Sequence, residues 1–149
     1  MQDIYGAFKT DKGLEQAGVY LDYGKFRVKV ARAGGANKAF QRLLEAKLRP
    51  YQRAIKTETI DPELAEKIML EVYSKTVVLA WETKVKNEET GVEEWKPLIQ
   101  TVTGELVKPS PEDIADIFKA LPDLFADIQD QSNKAAVFRE EILEANSGN

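Results

Sequence analysis

The stretch that decides the fold is Val19-Tyr20-Leu21-Asp22-Tyr23-Gly24-Lys25-Phe26-Arg27-Val28-Lys29-Val30. Val19, Leu21 and Tyr23 alternate with other residues on one arm. Phe26, Val28 and Val30 alternate with Arg27 and Lys29 on the other, and Gly24 supplies the turn. A period of two puts the apolar set on one side and the charges on the other, which predicts a half-buried antiparallel hairpin. A lone hairpin is only marginally stable in water, so helices have to cover its apolar side.

Downstream the period changes. Ala33-Gly34-Gly35 ends the strand, and Phe40, Leu43, Leu44 and Leu48 then line one face of a helix expected from about Ala36 to Arg49. Pro50 ends or kinks it, and Tyr51, Ala54 and Ile55 make a short second piece. Asp61-Pro62 reads as N-cap and first helical residue of the next helix. Leu64, Ile68, Val72 and Thr76 run along its buried face, and Thr76-Val77-Val78-Leu79-Ala80-Trp81, apolar nearly all round, is the expected deepest part of the core. Residues 83–109 read as short strands and loops, a hairpin excursion around 83–108. Helix signals return at Ser110-Pro111-Glu112-Asp113, where Ser110 caps and the acids suit the positive end of the helix dipole, with Ile114, Ile117 and Phe118 facing inward. A last helix is expected from about Asp123 to Ala145. Its seven-residue repeat places Leu121, Ile128, Ala135 and Ile142 at one seam position and Leu124, Gln131, Phe138 and Ala145 at the other. Together these give an α+β fold, mainly α-helical, with a small N-terminal antiparallel β-hairpin packed on four or five helices. Residues 1–149 are read as one domain, with 1–17 a loosely docked arm and 146–149 a frayed polar tail.

Composition narrows the chemistry. Among 149 residues there is no Cys and no His. That excludes disulfides, thiol nucleophiles, haem or zinc held by Cys or His, and every imidazole base. The Gly34-Gly35 pair before a helix matches no phosphate-loop or dinucleotide fingerprint. It reads as a turn that needs left-handed backbone angles, with an anion on the free N–H groups as the sharper alternative. Adjacent carboxylates such as Glu88-Glu89 and Glu140-Glu141 point about 100° apart on a helix and make no dyad. Asp123, Asp127 and Asp130 share a helical face that reads as a solvated acidic surface rather than a metal site. Ser74-Lys75 is an adjacency without a site. The expectation is a protein with no catalytic residue, metal or cofactor.

The net charge of −4 hides a segregation. Residues 25–56 carry ten bases against Glu45 alone, or +9, whereas residues 57–149 carry nine bases against 20 acids, or −11. Asymmetry on this scale calls for an electrostatic partner. Pairing within the fold or between copies is the favoured reading, and nucleic acid is disfavoured because no recognised nucleic-acid motif accompanies the bases. Lys38, Arg42, Arg49 and Arg53 share a broad face that suits self-association, meeting the acidic C-terminal helices of the next copy head to tail. No N-terminal signal pattern is present, and the longest apolar run, Val77 to Trp81, is far short of the ~20 residues of a membrane span.

The string from Val19 to Phe40 resembles the tail assembly chaperones of long-tailed (siphovirus-type) bacteriophages. The likeness continues through Leu44-Glu-Ala-Lys, Arg49-Pro-Tyr-Gln-Arg-Ala-Ile, Leu64-Ala-Glu-Lys and Val77-Val-Leu-Ala-Trp-Glu. It returns at Leu121-Pro-Asp-Leu-Phe-Ala-Asp-Ile-Gln and at Ala135-Ala-Val-Phe-Arg-Glu-Glu-Ile-Leu-Glu-Ala-Asn, collinear over roughly three quarters of the chain. Residues 84–109 depart from it. The resemblance implies a protein without enzymatic activity that binds the phage tape-measure protein, keeps it soluble until the tail tube polymerises around it, and then leaves. It implies the tape-measure protein as partner, the tail tube protein as a second, the host cell cytoplasm as the place of action, and absence from the mature virion. On that reading Leu124, Ile128, Phe138 and Ile142 divide between core and client. The alternatives are a nucleic-acid-binding phage regulator that uses the basic 25–56 segment, and a minor structural tail protein.

Overall fold

The computed structural model describes residues 4–139, and Ile142, Ala145 and the 146–149 tail lie outside them. Two short helices lead, α1 (Ile4–Phe8) and α2 (Lys12–Ala17), followed by the expected hairpin, β1 (Val19–Asp22) and β2 (Phe26–Val30). The Asp22 side chain accepts a hydrogen bond from Gly24 N–H at 2.7 Å, and Gly24 takes the φ of 92° that makes glycine the fitting residue there. The register pairs Val19 with Val30 and Leu21 with Val28, so the apolar side is continuous across both strands.

The hairpin is half of a larger sheet. The helix that starts behind the Asp61 cap, α5 (Pro62–Thr76), stops at Thr76, and the apolar run after it is a strand, β3 (Val78–Lys86). Helix α5 buries Ile68, Leu70, Val72 and Tyr73. Strand β3 pairs antiparallel with β2, with Val28 opposite Trp81 and a bulge between Lys29 and Val30. It continues past Trp81 to pair with β4 (Glu93–Lys96), giving the order β1-β2-β3-β4. The expected excursion around 83–108 is therefore partly an edge of the main sheet. Only β5 (Ile99–Gln100) and β6 (Leu106–Val107) form a separate small ribbon. Consecutive β-branched residues explain the switch: Thr76, Val77 and Val78 lose side-chain freedom in a helix and pack well on a pleated surface. Val77, Val78 and Trp81 are buried as expected, while Leu79 points to the other side of the sheet and is 45% exposed.

Helices cover one side of the sheet. Helix α3 (Lys38–Leu48) runs into a single 3-10 turn at Arg49–Tyr51, where Pro50 sits, and then into α4 (Gln52–Lys56). Helix α6 (Pro111–Ala120) begins with Ser110 Oγ accepting from Asp113 N–H at 3.1 Å. Helix α5 lies between α3 on one flank and α6 on the other. An unbroken line of seven rings threads these layers: Tyr23, Phe26, Trp81, Phe118, Phe125, Tyr73 and Phe40, with successive centroids 5.0–6.2 Å apart. Each such pair adds about 0.5–1.5 kcal/mol beyond the area it buries.

Two expectations are corrected. Helix α7 (Pro122–Asn133) ends twelve residues before Ala145. Lys134 is extended (φ −80°, ψ 117°), and Ala135–Phe138 is a 3-10 turn. The heptad pattern survives the break because the turn swings Phe138 back into the core, where it is wholly buried. The arm over residues 1–17 is not loose along its whole length, since α2 is held by a buried glutamate, Glu15.

Candidate interaction surfaces

The ten bases of residues 25–56 have three fates. The first group lies on the open side of the sheet. Arg27 stacks between two rings, its guanidinium carbon 4.3 Å from the Tyr20 centroid and 4.5 Å from that of Trp95. Its Nη2 lies 2.6 Å from Glu82 Oε1, and its Nε donates to the same oxygen at 2.7 Å. Lys29 and Lys84 flank the stack, their ammonium groups 5.6 Å from the Tyr20 ring and 5.1 Å from the Trp95 ring. The register explains the cluster: Tyr20 faces Lys29, Arg27 faces Glu82 and Lys84 faces Trp95, all on the side away from the core.

The second fate is burial at a junction. Arg32 Nη1 is 3.2 Å from Glu15 Oε2, and that carboxylate, 2% exposed, also accepts from the Thr10 hydroxyl and from Ala36 N–H at 2.8 Å. Burial pushes the Glu15 carboxyl up, but the hydrogen bonds from Thr10, Ala36 and Arg32 outweigh it and hold the group below its ordinary value. Gly34 (φ 118°) and Gly35 (φ 53°) take the left-handed angles expected of them. The anion that the N–H groups after the glycine pair were suited to hold is the chain's own Glu15. A Cβ on Gly35 would collide with Glu15 Oε2 and crowd the Arg32 side chain, so glycine is the residue that fits. Backbone bonds from Ala31 to Val77, Arg32 to Glu15 and Ala33 to Ser132 tie three helix ends to this point. Asp11 N–H donates to Phe138 C=O at 2.8 Å, bringing the N-terminal arm and the last turn together. Nothing in the sequence marked Glu15, because two of its three partners, Arg32 and Ala36, lie 17 and 21 residues away and beside a turn.

The third fate is exposure. Lys38, Arg42, Arg49 and Arg53 are all exposed on α3, the 3-10 turn and α4, and none makes an ion pair with another described residue. Lys47, on the same helix, is 3.0 Å from Glu71 of α5. Lys75 binds the other oxygen of Glu71, and the two lysines, Lys75 foremost, hold that carboxyl below its ordinary value. Beside Arg49 a shallow hollow is formed by Leu44, Leu48 and Ile55, the last 40% exposed.

Between α5 and α6 runs a groove of about 790 Å³. Its floor is Leu64, Leu70 and Ala115, and its rims carry Asp61, Glu63 and Glu66 from α5 and Glu112 and Asp116 from α6. Lys67, Lys75 and Lys119 also line it, which leaves the groove acidic.

The four residues assigned to core or client are placed as follows. Leu124 is half-buried against the core, Ile128 and Phe138 are 0% exposed, and Ile142 lies outside the described residues. Ile128, on the inner face of α7, and Phe138, carried inward by the turn after Lys134, are thus core residues. The large apolar groups that do face solvent near this end are Ile4, Tyr5 and Phe8 of α1, at 71%, 73% and 75% exposure. The Arg139 guanidinium lies 5.9 Å from the Phe8 ring. Asp127 accepts from the Tyr23 hydroxyl at 2.6 Å, and Asp130 pairs with Lys134 at 2.8 Å, so two of the three acids on that helix face have structural partners. Among the described residues no helix is long and apolar enough to cross a membrane.

None of the curated proteins or solved structures compared matches the chain. A family model does, that of the YdaY prophage protein, over residues 35–149, which include α3 to α7 and three of the five residues clustered around Arg27, namely Glu82, Lys84 and Trp95. The match takes in 115 of the 149 residues, and the chain belongs to the YdaY prophage protein family.

Proposed function

We propose that this chain is a phage tail assembly chaperone that binds the tape-measure protein and keeps it soluble until the tail tube polymerises around it. Membership of a prophage family supports the setting, and the collinear resemblance supports the role. The observation that carries the reading is the exposure of Ile4, Tyr5 and Phe8. Three large apolar side chains, each more than 70% exposed on one five-residue helix, form an open contact surface. They stand beside Arg139, the last described residue, after which the chain goes on to Ile142. The resemblance implies a client that is long and helical, and the apolar face of an amphipathic helix is recognised by just such a set of anchors. On this reading the protein works by contact and not by catalysis, acts in the host cytoplasm, and is absent from the finished particle.

The test is co-expression with the tape-measure protein of the same phage. The wild-type chain is expected to bring it into the soluble fraction. The chain carrying Ile4→Asp and Phe8→Asp is expected to fail while melting at the wild-type temperature, because both positions are exposed. A client that is equally soluble without the chain contradicts the reading. So does recovery of the chain in purified particles at structural copy number, which would make it a minor tail protein.

A further inference from the structure

We propose that the α5–α6 groove receives the basic α3–α4 face of a second copy of this chain, so that copies join head to tail. Both surfaces lie within the family-matched residues, and the inference stands apart from the tape-measure reading.

Charge is the first argument. Lys38, Arg42, Arg49 and Arg53 are exposed and make no ion pair among the described residues. The rim acids Asp61, Glu63, Glu66, Glu112 and Asp116 are likewise exposed and outside every ion pair of the described chain. One molecule therefore carries two unmatched surfaces of opposite sign. They flank the same helix, with α3 on one side of α5 and α6 on the other, so a single chain does not bring them together.

Shape is the second. The four bases recur at four, seven and four residues along α3, the 3-10 turn and α4, and all four are exposed. The acids of the groove rims are likewise set along two helices, α5 and α6. Each surface also has an apolar centre. Leu44, Leu48 and the exposed Ile55 sit beside Arg49, and Leu64 and Ala115 floor the groove. A contact that joins apolar centres inside complementary charged rims is the ordinary anatomy of a specific interface. The two surfaces share no residue, so the contact is heterologous and continues from copy to copy into a ring or a filament.

The experiment is sedimentation velocity on the full chain at about 20 mM and about 0.5 M salt, where screening differs several-fold in range. At low salt the wild type is expected at two or more times its monomer mass of 16.8 kDa, falling toward the monomer at high salt. Two neutralised variants isolate the surfaces: R42Q/R49Q/R53Q and E63Q/E66Q/E112Q. Each alone is expected to stay monomeric. Mixed, they are expected to form a one-to-one dimer and nothing larger, because one supplies only a groove and the other only a basic face. All six positions are exposed, and circular dichroism of each variant against wild type confirms that folding is unchanged; if a triple variant fails to fold, the R49Q and E66Q single variants take its place. A wild type that is monomeric at low salt overturns the proposal, as does a variant that keeps the wild-type size or a mixture that stays monomeric. A monomeric wild type that shifts short duplex DNA in a salt-dependent way would assign the basic face to nucleic acid instead.

Discussion

Residues 25–32 and residues 38–56 belong to one basic run, yet the fold treats them differently. Arg27 lies between Tyr20 and Trp95 and pairs with Glu82, and Arg32 closes on a buried carboxylate. Lys38, Arg42, Arg49 and Arg53 reach solvent with no carboxylate of the described chain in range. Net charge along the sequence therefore says little about which cations meet partners. A strand fixes each side chain opposite a neighbour on the next strand, so its cations find internal acids and rings. The outer face of a surface helix has no such neighbour.

The comparison makes graded expectations, and the largest lies at the junction that holds Arg32. Gly35→Ala forces a Cβ into the Glu15 carboxylate at a φ of 53°. A loss of about 2–4 kcal/mol is expected, from left-handed strain plus overpacking, read as a lowered denaturant midpoint. If Gly35→Ala melts like wild type, the junction is not what holds α2. Arg32→Ala removes one of three donors to Glu15, and about 1–3 kcal/mol is expected to go with it. The same site sets an acid limit. Because the folded pKa of Glu15 is lowered, its contribution is present above the ordinary carboxylate value of 4.5 and is lost as pH falls below it. Glu15→Gln is expected to be less stable at neutral pH and to flatten the dependence in that acid window; an unchanged acid slope would contradict the assignment. Smaller again is Arg27→Ala. The pair is partly exposed, so the ion pair and the two ring contacts together are worth about 1 kcal/mol, measured by thermal melting at low and high salt.

Much of the frame is legible in the sequence because it rests on local patterns. Gly24 between alternating residues gives the first hairpin, and Asp61-Pro62 and Ser110-Pro111 mark the two helix starts where they occur. What was not legible depends on pairing across distance. Strand β3 looks like a helix continuation until β2 is there to pair with it. The end of α7 at Asn133 hides behind a heptad that a 3-10 turn keeps in phase. Of the candidate surfaces, the basic face could be read directly, since its spacing is helical and local. The acidic groove could not, because it needs α5 and α6 side by side, and the α1 anchors could not because exposure is a property of the whole fold. Glu15 is the extreme case: an unremarkable acid in a polar arm that becomes the most buried charge of the described chain.

One paired measurement reaches the division within the basic run directly. Arg49→Glu with Arg53→Glu is to be followed by thermal melting and by sedimentation at low salt, beside the wild type. Stability within about 0.5 kcal/mol of wild type, as for exposed charges, together with a marked fall in sedimenting mass, is the result expected. An unchanged mass, or a large loss of stability, would contradict the division, because these cations would then serve the fold and not a partner.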